Sequence, residues 1–141
     1  MMREREISLL KALRVAALIV LVTGLLPSLA IFHATQEPWR LFFDVLTWPL
    51  DNAPADFSVS DRQLSAVLGG VLCGWAWCLY QLADPEIFNP KIRRLMVQSV
   101  WTWFLLDSAG SVIAGMPLNA VSNIGFLLIL MVPLHALRPL K

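Results

Sequence analysis

Hydrophobic residues in this chain are gathered into four long stretches, and polar residues are concentrated between them. The stretches cover residues 15–32, 64–83, 95–115 and 118–137. Each is close to the roughly 20 residues that a helix needs to cross the hydrocarbon core of a bilayer. The pattern predicts an all-α fold, a membrane four-helix bundle whose spans run antiparallel.

A shorter pattern lies between the first two stretches, at residues 38–50. Its apolar positions recur at the helical spacing i, i+3, i+4 and i+7 and are Trp39, Phe42, Phe43 and Leu46. Pro38 can begin such a helix and Pro49 can end it. We predict an amphipathic interfacial helix with its aromatic face turned to lipid or to the bundle. It would serve as an anchor or as a lid over a binding cavity.

Basic residues are distributed unevenly among the segments outside the stretches. Of the eleven Lys and Arg residues, nine lie before the first stretch, between the second and third, or after the fourth. The other two, Arg40 and Arg62, lie in the loop 33–62. The positive-inside rule places both termini in the cytoplasm and this loop outside. The net charge is +1 without a separate basic patch, so no nucleic-acid partner is expected.

Composition supports a membrane protein with a single domain, residues 1–141. Hydrophobic residues make up 57% of the chain and charged residues 15%, and the mean hydropathy is +0.66, which leaves too little polar surface for a water-soluble fold. The basic start, the apolar run and the small pair Ser28 and Ala30 resemble a secretory signal peptide. Because the apolar run continues to Phe32, we expect the first span to be retained.

Small residues form a stripe on the second span. Ala66, Gly70 and Gly74 are spaced four apart, and Ser65 and Gly69 form a neighbouring small pair. Small residues at this spacing let a second helix approach closely within a membrane. The partner could be another span of the same chain, a second copy or another membrane protein.

The third and fourth spans carry polar residues at matching helical spacing. Asp107 and Ser111 lie on one face of the third span, and the fourth span carries Asn119, Ser122 and Asn123. A charge at this depth is costly, so these side chains are expected to meet in a hydrogen-bonded intramembrane cluster.

Two roles are open for this cluster. It could lock the two helices together, or Asp107 could handle a proton or cation or contact a ligand. Arg40 is a possible counter-charge if the interfacial helix folds over the hairpin.

No enzyme signature is present in the sequence. His33 and His135 lie near opposite ends of the bundle, so they cannot share a metal or haem. Cys73 and Cys78 are separated by about 140° around one helix and cannot form a disulfide. Phosphate-binding and hydrolase motifs are missing as well. We expect no catalytic residues, no metal and no cofactor.

Three sequence strings carry a resemblance to known proteins. They are TWPLD at residues 47–51, GGVLCGW at residues 69–75 and DSAGSVIAGMPLN at residues 107–119. They resemble a group of small bacterial four-span membrane proteins that has no assigned activity. The resemblance implies the four-span fold and a bacterial inner-membrane location, and it implies no catalytic or binding residues.

The short connections leave no room for a soluble catalytic or sensor module. The sequence therefore favours a non-enzymatic accessory or scaffolding protein that contacts membrane lipids and packs beside a larger membrane complex or another copy of itself. The alternative is a small transporter or ligand-binding membrane protein centred on Asp107. A water-lined cavity reaching Asp107 would favour the alternative. A packed hairpin of the third and fourth spans, together with an exposed small-residue face on the second span, would favour the accessory role.

Overall fold

A computed structural model describes residues 4–47 and 56–137 of the chain. Within these ranges the fold is all-α, without strands. The five helices are α1 (Glu4–Leu29), α2 (Glu37–Leu46), α3 (Val59–Leu82), α4 (Pro90–Ile113) and α5 (Pro117–Ala136).

Three of the four long helices, α1, α3 and α5, are long and apolar enough to cross a membrane. This finding corrects the prediction of four spans, because the helix at the third predicted span, residues 95–115, is not among the three. The exception is α4, which has sufficient length at 24 residues. Its mean apolarity is lower because polar residues recur along it, namely Gln98, Ser99, Thr102, Asp107, Ser108 and Ser111.

Local signals explain where the helices begin and end. The first helix starts well before residue 15 because its early turns bury Leu10 and Leu13 in the core. Ser58 caps α3 in a reciprocal pair with Asp61. Asn89 caps α4 through bonds to the backbone N–H groups of residues 91 and 92.

The first helix occupies the middle of the bundle. It packs most extensively against α3 on one side and against α5 on the other, and α4 packs against α5. The shared core contains Leu13, Val20, Leu79, Leu130 and Leu134. As a result α3 and α4 lie on either side of the α1–α5 pair and do not pack closely against each other.

Close contact between α1 and α3 depends on small residues. A Cβ atom added to Gly69 would collide with the Oγ and backbone N atoms of Ser28 and lie 2.6 Å from the carbonyl oxygen of Gly24. The neighbouring Ser65 is also buried. The two helices therefore meet at Ser65 and Gly69, the small pair that neighbours the stripe of Ala66, Gly70 and Gly74.

The stripe Ala66, Gly70 and Gly74 lies on a different face of α3. A Cβ atom at Gly70 or Gly74 would have no other atom within 4 Å, and both residues are exposed. Within the described part of the chain, these two glycines do not contact another helix. Of the partners that the sequence left open for this stripe, a span of the same chain is not observed among the described residues, because the helix is rotated so that Gly69 faces α1.

One end of the bundle, which we call the outer end, carries α2. This helix is shorter than the predicted range 38–50, and Pro49 lies outside the described residues. Trp39 and Leu46 are buried and Phe42 and Phe43 are half-buried. The aromatic face is thus turned to the bundle.

The opposite, inner end brings basic residues against other helices. The guanidinium of Arg14 lies 3.6 Å from the Asp84 carboxylate and 4.1 Å from the centre of the Tyr80 ring. Arg93 Nε donates a 2.6 Å hydrogen bond to the carbonyl oxygen of Leu134 near the end of α5. The start of α4 is thereby fastened to the end of α5.

Candidate functional site

A tight turn aligns the polar faces of α4 and α5. Gly115 ends α4 with a φ of 83°, a left-handed conformation that glycine adopts without steric cost. The next residue, Met116, donates its backbone N–H to the carbonyl oxygen of Ser111 at 2.8 Å. Pro117 then begins α5. The turn brings the outer half of α4 directly alongside the first turns of α5.

Asp107 and Asn123 form the centre of the polar cluster. Asn123 Nδ2 donates a 2.6 Å hydrogen bond to Asp107 Oδ2, and the Asn123 side chain is only 3% exposed. The same amide donates to Ser108 Oγ at 3.2 Å. Sequence reasoning missed Ser108 because it lies outside the i, i+3, i+4 pattern that begins at Asp107.

The remaining predicted residues surround this pair. Asn119 Nδ2 donates to Ser111 Oγ at 2.7 Å and to Asp107 Oδ2 at the longer distance of 3.5 Å. The Ser111 hydroxyl donates to the Asp107 backbone carbonyl at 2.7 Å, and the Ser122 hydroxyl donates to the Asn119 carbonyl at 2.9 Å. The structure thus places all five predicted cluster residues on one side of the α4–α5 hairpin.

The predicted counter-charge is placed differently. Arg40 Nη1 pairs with Glu37 Oε1 of its own helix at 2.7 Å. The carboxylate of Asp107 is instead held by two side-chain amides, since Asn123 and Asn119 are both within reach of α4 across the short turn. Asp107 therefore contacts neutral amides, where an ion pair with Arg40 had been considered from the sequence.

The hydrogen bonds from the described residues all reach one oxygen of Asp107. Both amides donate to Oδ2, and Oδ1 accepts none from the described part of the chain. A carboxylate oxygen can accept two hydrogen bonds. Oδ1 is therefore an available acceptor at the edge of the cluster.

A cavity of about 880 Å³ opens beside the cluster. Its walls include Val20 and Thr23 of α1, Leu72 and Trp75 of α3, and Asp107 of α4. The other polar cluster residues that line it are Ser111, Asn119, Ser122 and Asn123. Ligand sites in proteins are typically of this size and combine mostly apolar walls with a few convergent polar groups.

No family model, curated protein or solved structure matches the chain. The chemistry of the cavity is therefore the information from which a function can be argued.

Aromatic residues close the cavity at its outer and inner ends. At the outer end, Trp39 of α2 stacks on Phe42 and donates its Nε1–H to Ser65 Oγ at 2.9 Å. At the inner end, Trp75 donates to Ser99 Oγ at 2.7 Å and packs against Trp103 with ring centres 5.5 Å apart. These side-chain contacts join α3 to α4 where their backbones remain apart.

The cavity is open at the side, between α3 and α4. Leu68 of α3 and Leu106 of α4 line it and are 51% and 72% exposed. Gly110 and Ala114 lie along the same edge and are exposed as well. The described residues that border the opening are apolar or small, so a molecule could pass between them from a hydrocarbon phase without contacting a charged side chain.

Other residues considered from the sequence lie away from the cavity. His33 contacts Gln36, and His135 contacts the Met131 carbonyl at the far end of α5. Cys73 and Cys78 are both free thiols. In the described ranges, no three His, Cys, Asp or Glu side chains are grouped so that they could hold a metal ion.

Proposed function

We propose that this chain is an integral membrane protein that binds an amphipathic, lipid-like molecule in the cavity between α3 and α4. The observation that carries the proposal is the combination of the 880 Å³ apolar cavity with the Asp107 cluster on its wall. The apolar part of the ligand would lie against leucine, valine and aromatic side chains. Its polar group would contact Asp107. The protein acts in this proposal as a binding or transport protein and not as an enzyme.

The proposed setting is the inner membrane of a bacterium, with four spans and both termini in the cytoplasm. The distribution of Lys and Arg along the chain supports this orientation. We include α4 as the fourth span because its polar residues face the cavity and α5, while Leu105 and Ile113 are exposed on its other side. A helix of this kind can cross a bilayer when its polar groups face protein.

Binding can be tested by filling the cavity with a side chain. In Gly110→Trp, the indole should occupy the cavity, because Gly110 lines it and has open space at its Cβ position. Gly125→Trp is the matched control, since Gly125 also lies in a helix with open space but does not line the cavity. Both proteins would be reconstituted in vesicles and photolabelled with dodecanol that carries a diazirine, and the labelled peptides identified by mass spectrometry.

Labelling of the cavity walls on α3 and α4 should fall by about tenfold in Gly110→Trp, equivalent to about 1.4 kcal/mol of binding free energy. Gly125→Trp should label like the unmodified protein. Equal labelling of these walls in the two variants would contradict the proposal.

A second function is supported by the stripe of small residues on α3. Gly70 and Gly74 are exposed and have room for close approach of another helix. This feature favours an accessory or scaffolding protein that packs beside a membrane complex or a second copy of itself. The two functions use different faces of α3 and are compatible with each other.

A further inference from the structure

We infer that the polar group accepted by this cavity is positively charged, so that the ligand is an amphiphile with an ammonium head and an apolar chain. The inference rests on the proposed function and narrows its ligand class. It depends on three properties of the cavity wall: the acceptors and donors of the cluster, the charges along the lining and the aromatic rings near Asp107.

The cluster offers an acceptor to a ligand while its own donors are engaged. The Asn123 amide donates to Asp107 and Ser108, and the Asn119 amide donates to Ser111 and Asp107. An amide nitrogen carries two hydrogens, so both are fully used. The hydroxyls of Ser111 and Ser122 donate to backbone carbonyls. Asp107 Oδ1 accepts no hydrogen bond from the described residues, and the Asp107 side chain lines the cavity, so this oxygen is the acceptor that we assign to the ligand.

The described lining contains one acidic residue and no Lys, Arg or His. A ligand carboxylate or phosphate would approach Asp107 without a cation to compensate either charge, and like charges in an apolar setting repel strongly. An ammonium group reverses the sign of that interaction and can donate a charge-assisted hydrogen bond to Oδ1.

Three aromatic residues, Trp75, Trp103 and Phe126, line the same cavity as Asp107. Trp103 lies one helical turn from Asp107 on α4, and its ring centre is 6.5 Å from that of Phe126 on α5 and 5.5 Å from that of Trp75 on α3. The faces of such rings attract cations, and the attraction is strongest where water is excluded. A carboxylate beside several aromatic rings is thus suited to an alkylammonium ion.

The test compares three diazirine probes that share a dodecyl chain and differ only in the head group, namely dodecylammonium, dodecanol and dodecanoate. Each would be photolabelled onto the full chain in vesicles. Labelling of the cavity walls would be divided by labelling of the outward face of α5, which corrects for the concentration of each probe in the membrane. The wild-type series does not depend on any variant being folded.

We expect the ammonium probe to label the cavity walls about tenfold more than the alcohol, as a desolvated cation–carboxylate or cation–aromatic contact would produce. The carboxylate probe should label least. In Asp107→Asn, the ratio of ammonium labelling to dodecanol labelling should fall to about one, because the variant lacks the negative charge that attracts the ammonium group. Equal labelling by the ammonium and alcohol probes in the wild-type protein, or a preference for dodecanoate, would overturn the inference.

The same experiment separates failure of the inference from failure of the proposed function. If dodecanol labels the cavity and Gly110→Trp removes that labelling, the proposed function stands whatever the head-group preference is. If no probe labels the cavity walls above the outward face of α5, both the function and the inference are wrong.

Discussion

Gly69 and Gly70 are neighbours in the sequence, but they point to different sides of α3 and therefore have different roles. Gly69 lies against Gly24 and Ser28 of α1, and Gly70 faces open space one position further along α3. In the sequence, Gly70 belongs to the three-residue stripe with Ala66 and Gly74, and Gly69 belongs to the shorter pair with Ser65. It could not indicate which stripe faces α1, because that depends on the rotation of α3 within the assembled bundle.

The predicted consequence is a large difference between Gly69→Leu and Gly70→Leu. At Gly69 the new side chain forces α1 and α3 apart, so the free energy of unfolding should fall by about 1–3 kcal/mol or more. At Gly70 the same change should leave stability nearly unchanged. Thermal unfolding in detergent, followed by size-exclusion chromatography, measures both.

The Gly70→Leu variant also tests the accessory function. If the stripe binds another membrane protein or a second copy, this folded variant should lose that association in a gentle detergent extract. Equal destabilisation by the two leucines would show that both faces of α3 are packed within one chain.

At the scale of one element, α2 is fastened to the bundle by Trp39. The side chain is 6% exposed, packs with Phe43 and lies in a small core with Ala30 and Phe57. Its indole N–H reaches Ser65 on α3. Residues of α2 line the outer end of the cavity. Loss of this bond should therefore allow α2 to move away from that end.

Removing either partner of this bond should loosen α2. Ser65→Ala leaves the buried indole N–H unsatisfied, at a cost of about 1–3 kcal/mol, and Trp39→Phe removes the donor with part of its packing. Hydrogen exchange of the backbone amides of Glu37–Leu46 should accelerate in each variant. Leu41→Ala changes the exposed face of α2 and is the control.

The double variant distinguishes a direct bond from two independent effects. Trp39→Phe combined with Ser65→Ala should exchange no faster than Trp39→Phe alone, since the hydrogen bond has already been lost. Additive acceleration would mean that the two side chains stabilise α2 separately.

Sequence periodicity predicted the helices and the polar cluster more accurately than it predicted the cavity. Asp107 and Ser111 on α4, and Asn119 and Asn123 on α5, are four residues apart, and this spacing indicates that each pair shares a helix face. The short turn between α4 and α5 then brings the two faces together. The cavity depends on α3 and α4 remaining apart, which follows from the packing of α1 between α3 and α5. No local pattern in α3 or α4 encodes that separation.

At the scale of the whole molecule, the two ends of the bundle differ in charge. The inner end combines the basic starts of α1 and α4 with the ends of α3 and α5, where Arg14 pairs with Asp84 and Arg93 binds the Leu134 carbonyl. The outer end carries α2 and the polar cluster. This asymmetry is the basis for the proposed orientation in the membrane.

Reporter fusions test the orientation directly. A reporter that works only in the cytoplasm should be active when it is fused after Lys141 or inserted in the exposed loop at Glu86. A reporter that works only outside the cytoplasm should be active when it is inserted at residues 53–55. The site at Glu86 avoids Asn89, which caps α4. A reporter after Lys141 that is active outside would reverse or break the proposed four-span topology.

The central position of α1 has a consequence for how the protein is made. This helix leaves the ribosome before α3 and α5, the two helices that cover its sides. The close-approach surface at Gly24 and Ser28 therefore stays uncovered in the nascent chain until α3 has emerged. The contacts between α1 and α5 form only after α5 has been made. In the proposed membrane setting, lipid or the insertion machinery therefore contacts these surfaces of α1 before α3 and α5 do.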